Sequence, residues 1–356
     1  MNFFDEIILV GKMYKRDCSN GPTAVMYALQ HEFNKSGIKC TTRALSEDIT
    51  KIQFLIRLAG LIKVRNKIIN VHINGFVSAM FVLLISRVNK KCDFFLTIHG
   101  IYREQIKYYK SHDYVWLYKK LEKYIYNNFP NIICVSELCK ETLYKNFTPK
   151  GNIYVIENGI YDMEYVISKK RKLNKLFVFL GGLQEIKGIE QLIFIFDRLV
   201  YLDTEVKLKI YGSSTDRQRE QFEKNIVERG LKKYVEYGGM LKNRTDIIRA
   251  YQEADYHISL SKFDTFNNTI IEAMNYGCVN ISNTKSGAAH FIKNRYTGFI
   301  INDDVENSDM AELLFSILNS VDVENYNMIA TNAKAAIAEN GWSNIAKNYI
   351  SVFGME

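Results

Sequence analysis

The chain has 356 residues, of which 47% are hydrophobic and 24% charged. That composition describes a globular protein and excludes a disordered one, and the length favours two cores over one. The formal charge is +8, and residues 1–165 hold all of the excess, with 23 Lys/Arg against 15 Asp/Glu. An anionic partner or surface is therefore expected for the N-terminal half alone.

The longest apolar run, Val77 to Ile85, is too short to span a bilayer. The N-terminus lacks the pattern of a secretory leader. Six scattered cysteines without a CxxC pair read as buried thiols in a reducing cytoplasm, and no Cys/His cluster has zinc spacing.

In chain order, Glu6–Val10 predicts a strand and the residues after Gly21 a helix to about Lys35. Strands follow at Ile38–Thr42, Lys67–Ile73, Phe94–Ile98, Ile132–Val135 and Ile153–Ile156. Helices lie between them, at about Thr50–Leu61 and Val77–Val88 and after the cap Ser136. Such alternation predicts a parallel, doubly wound sheet. Residues 160–174, with the run Lys169–Lys172, read as an exposed linker. The second half repeats the rhythm, with strands at Leu176–Leu180, Val206–Tyr211, Val235–Tyr237, Tyr256–Leu260, Cys278–Ser282 and Gly298–Ile301. From Asn307 the pattern is helical. The expected domains are 1–165 and 166–340, with a C-terminal helix over 341–356 that can pack back on the first domain.

The stretch Leu260–Ser282 carries the most information. A buried strand opens through a polar loop into a helix, about Asn267–Tyr276, and Gly277 stops it. Ligands of α/β domains sit at strand carboxyl ends, and a helix start there favours anions. Asn267, Asn268 and Thr269 would offer backbone donors to a phosphate, and Glu272 would accept from a diol such as ribose. The plainer alternative makes Asp264 and Asn267 helix caps and Glu272 a solvated acid. Lys187 sits at a helix start, where it opposes the dipole, so an anion there would relieve a local conflict. Of six histidines, His99 and then His72 are candidates because each ends a strand.

At this point the chain resembles the retaining glycosyltransferases of family four (glycosyl transferases group 1), over nearly its whole length. The likeness rests on motifs in order. Thr97-Ile98-His99-Gly100 is similar to the family's T-x-H. Gly181-Gly182-Leu183-Gln184-Glu185-Ile186-Lys187-Gly188 is similar to G-R-L-x-x-x-K-G. Asp264 and Glu272, with Ala273, Met274 and Gly277 following, resemble E-x7-E. Val135-Ser136-Glu137 and Asn158-Gly159-Ile160 add weaker landmarks, and Asn20 with Gly21 stands for the family's Gly-rich acceptor and diphosphate loop.

The resemblance implies the GT-B fold, an α/β architecture of two Rossmann-like doubly wound parallel-sheet domains facing a cleft. It implies an enzyme that moves a sugar from a nucleoside-diphosphate sugar to an acceptor hydroxyl with retention. The donor would bind Gly182, Lys187, Phe266, Asn267, Asn268, Thr269 and Glu272, with His99, Asp264 and Lys187 in the chemistry. No cofactor and no metal are expected. Gly182 stands where the family has Arg, so one cationic clamp is missing, and Lys285 or Arg244 could replace it. Asp264 is one methylene shorter than the family's Glu. The acceptor is expected to be a lipid-linked or growing cell-surface glycan.

Residues 103–128 mix Lys with Tyr and Trp116. They read either as an ordinary amphipathic helix or as a patch for an anionic membrane surface. No nucleic-acid motif accompanies it. The expected location is cytoplasmic, peripheral on the inner face of the plasma membrane. The rival functions are a non-catalytic partner subunit of the same fold and a sugar-nucleotide epimerase.

Overall fold

The computed structural model describes residues 4–13, 21–72, 75–109, 114–161, 163–302 and 306–355. The chain forms two units, residues 1–161 with 340–356, and residues 162–339.

The first unit is built on six strands: β1 (Glu6–Lys12), β2 (Cys40–Leu45), β3 (Lys67–His72), β4 (Asp93–Ile98), β5 (Asn131–Cys134) and β6 (Asn152–Val155). They run in the order β2-β1-β3-β4-β5-β6, with every pairing parallel. Both faces of β1 are buried, because Ile7 and Leu9 point one way and Ile8 and Val10 the other, and all four are closed from solvent. A continuous apolar run of this kind is what a sheet with helices on both sides requires.

Helix Gly21–Lys35 and the C-terminal helix Trp342–Phe353 share one core of this unit. Phe353 lies with ring centroids 4.7 Å from Phe95 of β4 and 6.4 Å from Phe33. The chain end thus packs on the first sheet although 178 residues of the second unit precede it in sequence. Helix Lys51–Ala59 begins at a full capping box, Thr50 with Gln53.

The second unit repeats the design with β7 (Leu176–Phe179), β8 (Lys207–Ile210), β9 (Val235–Tyr237), β10 (Tyr256–Ser259), β11 (Val279–Ser282) and β12 (Gly298–Ile300). The order is β12-β11-β10-β7-β8-β9, again parallel. β7 leads outward to β8, whereas the chain after β9 crosses back to β10. The loops leaving β7 and β10 therefore diverge, which opens a crevice at their carboxyl ends.

Two expectations change. The lysine run is not wholly exposed. Lys170 Nζ lies 3.3 Å from the buried Asp255 and donates to the carbonyls of Gln252 (2.9 Å) and Ala254 (3.0 Å), the last turn of helix Arg244–Glu253. A cation at a helix C-terminus meets the negative dipole end, which pins this segment. Residues 103–128 are also not one helix. A short helix, Tyr102–Gln105, and a 3-10 turn, Ile106–Tyr108, precede a separate helix, Val115–Asn128. That second helix starts after Tyr114, whose φ is +63°. Residues 110–113 lie outside the described residues.

Candidate active site

At the crevice of the second sheet, the turn Glu185–Lys187 is stitched to the loop after β10. Lys262 N donates to Ile186 O at 2.8 Å, and Lys262 Nζ meets Glu185 Oε1 at 3.1 Å. Gly188 closes the turn at φ +84°, so near Leu260 that an added Cβ would stand 2.1 Å from its carbonyl oxygen. This approach delivers Lys187 Nζ onto Asp264 Oδ2 as an ion pair. The other Asp264 oxygen accepts from Phe266 N at 3.1 Å. Asp264 therefore does not cap the helix; it closes its own loop and orients the lysine.

Helix Asn268–Asn275 begins at Asn267, whose φ of +73° is left-handed and whose side chain makes no cap. That side chain turns inward, donating to Ser259 Oγ (2.8 Å) and Ser286 Oγ (3.2 Å) and accepting from Thr269 Oγ1 (2.7 Å). The plain capping alternative is thus overturned for both residues. Phe266 also departs from expectation: its ring is buried and its N–H is taken by Asp264. Leu180, Gly181, Lys187, Ser259, Asn267 and Thr269 line a small open hollow.

Glu272 is not a solvated acid. It is half-buried on the helix and accepts from Tyr251 Oη at 3.1 Å. Burial raises its pKa, opposed by the charge of Arg244 and the Tyr251 hydroxyl. Arg244 itself donates to Tyr276 Oη at 2.8 Å, one turn beyond Glu272. It therefore serves the Glu272 side of the site. Lys285 contributes its backbone carbonyl, which accepts from Asp264 N at 2.9 Å.

Gly182 is not a simple loss of Arg. Its φ is +64°, and a Cβ there would lie 2.2 Å from the backbone oxygen of Ser213. The loops after β7 and β8 touch at this point, and no larger residue fits without moving one of them.

In the first unit, His99 follows β4 and meets His72 at the end of β3, Nε2 to Nδ1 at 2.9 Å. Both are held neutral by burial: His72 falls well below the ordinary range and His99 to about 3. Gly21 is the first residue of its helix, and Asn20 lies outside the described residues.

Tyr251, Ser259 and Asn70 escaped the sequence reading. Asn70 had a signal, a polar residue set within the apolar run Ile68–Val71 of β3, and Ser259 had a weaker one, a polar residue at the carboxyl end of β10. Tyr251 had none, since it is an aromatic on an amphipathic helix. Among the described residues, no group of three His, Cys, Asp or Glu gathers as metal ligands.

Two parallel doubly wound units in tandem, the second with a cation and a helix start at its carboxyl edge, define a protein of the GT-B class. The family model described as "Glycosyl transferases group 1" matches residues 164–336, and "Glycosyltransferase Family 4" matches residues 31–162. The chain belongs to the group 1 glycosyltransferases.

It is 27% identical over 269 residues to an uncharacterized glycosyltransferase of Methanocaldococcus jannaschii, covering 71% of this chain and 65% of the relative. It is 22% identical over 227 residues to the GDP-mannose:cellobiosyl-diphosphopolyprenol alpha-mannosyltransferase of Xanthomonas campestris, covering 63% and 58%. The chain thus spans less than two thirds of either relative. Anabaena HepE, solved with UDP and glucose, is similar in fold, with TM-score 0.75 at 14% identity over 98% of this chain and 99% of that one.

Proposed function

We propose that the chain transfers a sugar, with retention, from a nucleoside-diphosphate sugar to a glycan acceptor hydroxyl in the synthesis of a bacterial cell-surface polysaccharide. The observation that carries this reading is Lys187, held by Asp264 next to the start of helix Asn268–Asn275. A leaving diphosphate meets an ammonium and a positive dipole end already in place, so little reorganisation is needed as the bond breaks. Removing one preorganised donor of this kind costs about 10²–10³ in rate. Asp264 places a carboxylate near the same point, where a sugar losing its leaving group develops positive charge. Glu272, one turn deeper and fixed by Tyr251, accepts from the ribose hydroxyls. These groups do the work without a metal.

Uridine or guanosine donors are the first to try, because HepE is solved with UDP and the Xanthomonas relative is named for GDP-mannose. That relative's polyprenol-linked acceptor supports a lipid-linked acceptor here.

The first unit carries a face suited to an anionic membrane. Helices Lys51–Ala59, Phe76–Val88 and Val115–Asn128 neighbour one another and expose Ile52, Val77, Val88 and Trp116, each more than 60% open. Their single acid, Glu122, is buried. Arg87 lies over Tyr124 (5.3 Å) and Lys120 over Trp116 (5.1 Å). Apolar side chains beside cations suit the headgroup level, and among the described residues no helix is long and apolar enough to cross the membrane.

The test is transfer or hydrolysis of UDP-glucose, UDP-N-acetylglucosamine and GDP-mannose by the wild type, Lys187→Ala and Glu272→Ala, with folding checked by circular dichroism. Both variants should lose turnover at least about 100-fold while remaining folded. Full turnover in both would remove the site assignment. A non-catalytic partner subunit is the second reading, favoured by the glycine at position 182. It predicts no turnover of any nucleotide sugar by the wild type.

A further inference from the structure

Beneath the C-terminal helix of the first unit, a row of polar side chains crosses an otherwise apolar sheet. Asn70 and His72 sit two residues apart on β3, and Thr97 and His99 sit two apart along β4 and its end. His72 is paired in register with Thr97, which brings all four onto one face. Asn70, His72 and Thr97 are buried. Nothing in the sugar-transfer reading needs Asn70 or His72, and burying such groups is costly unless they bond to one another.

The bonds run head to tail. Thr97 also hydrogen-bonds the buried Tyr349 hydroxyl of helix Trp342–Phe353. The Thr97 hydroxyl donates to Asn70 Oδ1 at 3.0 Å, so the Tyr349 hydroxyl must be the donor to Thr97. Asn70 Nδ2 lies 3.2 Å from His72 Nε2, which must accept because the amide nitrogen only donates. A neutral imidazole that accepts at Nε2 carries its proton at Nδ1. His72 Nδ1 therefore donates to His99 Nε2 at 2.9 Å. His99 in turn carries its proton on Nδ1, the opposite of the tautomer that neutral histidine favours in water.

We infer that His72 is a positioning residue, which with Asn70 and Thr97 locks the His99 ring in the neutral Nδ1–H tautomer. The inference rests on the family resemblance, which implies that His99 takes part in the chemistry. It adds what that resemblance leaves open: which ring atom of His99 carries the proton, and what holds it so. The tautomer of an imidazole is set by the bond its other nitrogen makes. A ring free to exchange tautomers or to protonate would present the wrong atom part of the time. The C-terminal helix, through Tyr349, closes the row at its far end, so its return to the first unit bears on the site as well as on the core.

The test uses the full chain labelled with 15N in histidine only. The ring nitrogen spectrum should show His72 and His99 both protonated at Nδ1 and unchanged between about pH 5 and 8. His72→Gln keeps an atom near the Nε2 position but removes the donor to His99, and should move His99 to the Nε2–H form. Turnover of whichever of UDP-glucose, UDP-N-acetylglucosamine or GDP-mannose the wild type uses should then fall about 10- to 100-fold. The donor KM should change by less than about twofold, since His72 does not touch the donor. His72→Asn restores a donor near Nδ1 and should recover most of the loss. An Nε2–H His99 in the wild type overturns the inference, as does undiminished turnover in His72→Gln when His99→Ala is dead. Undiminished turnover in His99→Ala overturns the implied role of His99 in the chemistry itself, whatever the spectrum shows.

Discussion

Gly182 allows a sharp test, because the family pattern and the local geometry predict opposite outcomes for the same substitution. By analogy with the family, an Arg at 182 would add a phosphate clamp and strengthen donor binding. The backbone says otherwise. At φ +64° an L-residue costs about 1–2 kcal/mol, because its Cβ crowds a carbonyl oxygen. The Cβ would also lie 2.2 Å from Ser213 O and 2.9 Å from Ser213 N. Ser213 O is not free to retreat, since it accepts from Leu183 N at 3.1 Å while Gly182 N donates to Tyr211 O at 2.9 Å. Opening the gap to ordinary contact breaks at least the first of these bonds, a further loss of about 1 kcal/mol. Gly182→Ala should therefore destabilise the second unit by about 2–3 kcal/mol, which for a unit of this size lowers the melting temperature by about 5–10 °C. Gly182→Arg carries the same Cβ and should lose as much stability without gaining affinity for UDP. Scanning calorimetry of the three proteins, with UDP titration at 15 °C, reads both effects. An alanine variant melting within about 1 °C of the wild type would refute the argument, since the φ term alone exceeds that.

Asp264→Asn removes the charge that pairs with Lys187. UDP should bind severalfold more tightly by calorimetry while transfer falls, and equal losses in both would show that Asp264 only holds the loop. Stability should decline in acid. His72, His99 (to about 3) and His257 (to about 4) have folded pKa values below the unfolded one. Their contribution is thus complete above about pH 6.5 and is lost as pH falls towards the folded values, by up to about 2 kcal/mol for each of His99 and His257 at pH 5. Urea midpoints that do not fall between pH 7 and 5 would contradict this. Glu122 acts in the opposite sense, because burial raises it to about 7 against the backbone bonds from Tyr102 and Arg103. Its contribution is present below about pH 4.5 and is lost as pH rises through 7. The advantage of Glu122→Gln over wild type should therefore grow from pH 5 to 8, by up to about 3 kcal/mol. Reversing Arg87, Lys120 and Lys123 to Glu should reduce sedimentation with vesicles rich in phosphatidylglycerol but not with pure phosphatidylcholine, and unchanged binding would return these helices to plain surface.

Much of the fold is local and therefore legible in the chain. Runs such as Ile7–Val10 and Phe177–Phe179 lack polar alternation because both faces of a parallel strand are buried, and this is written residue by residue. Gly277 stops its helix at φ +78° wherever the helix packs. The motif residues could be named in advance because their spacing is set by strand, turn and helix.

What each of those residues does was decided by packing across long separations. Lys187 and Asp264 are 77 positions apart, and only the closure of the 185–188 turn onto the loop after β10 makes them a pair. Tyr251 reaches Glu272 from another helix, which turns an apparently solvated acid into a held acceptor. Asn267 and Phe266 have the right identities for a ligand loop, yet both side chains are buried, that of Asn267 bonded to Ser259 and Ser286. Gly182 looks like a lost arginine until Ser213 is seen against it. The tautomer of His99 depends on a row that starts on the last helix of the chain, and no local pattern records that the end of the sequence returns to its first sheet.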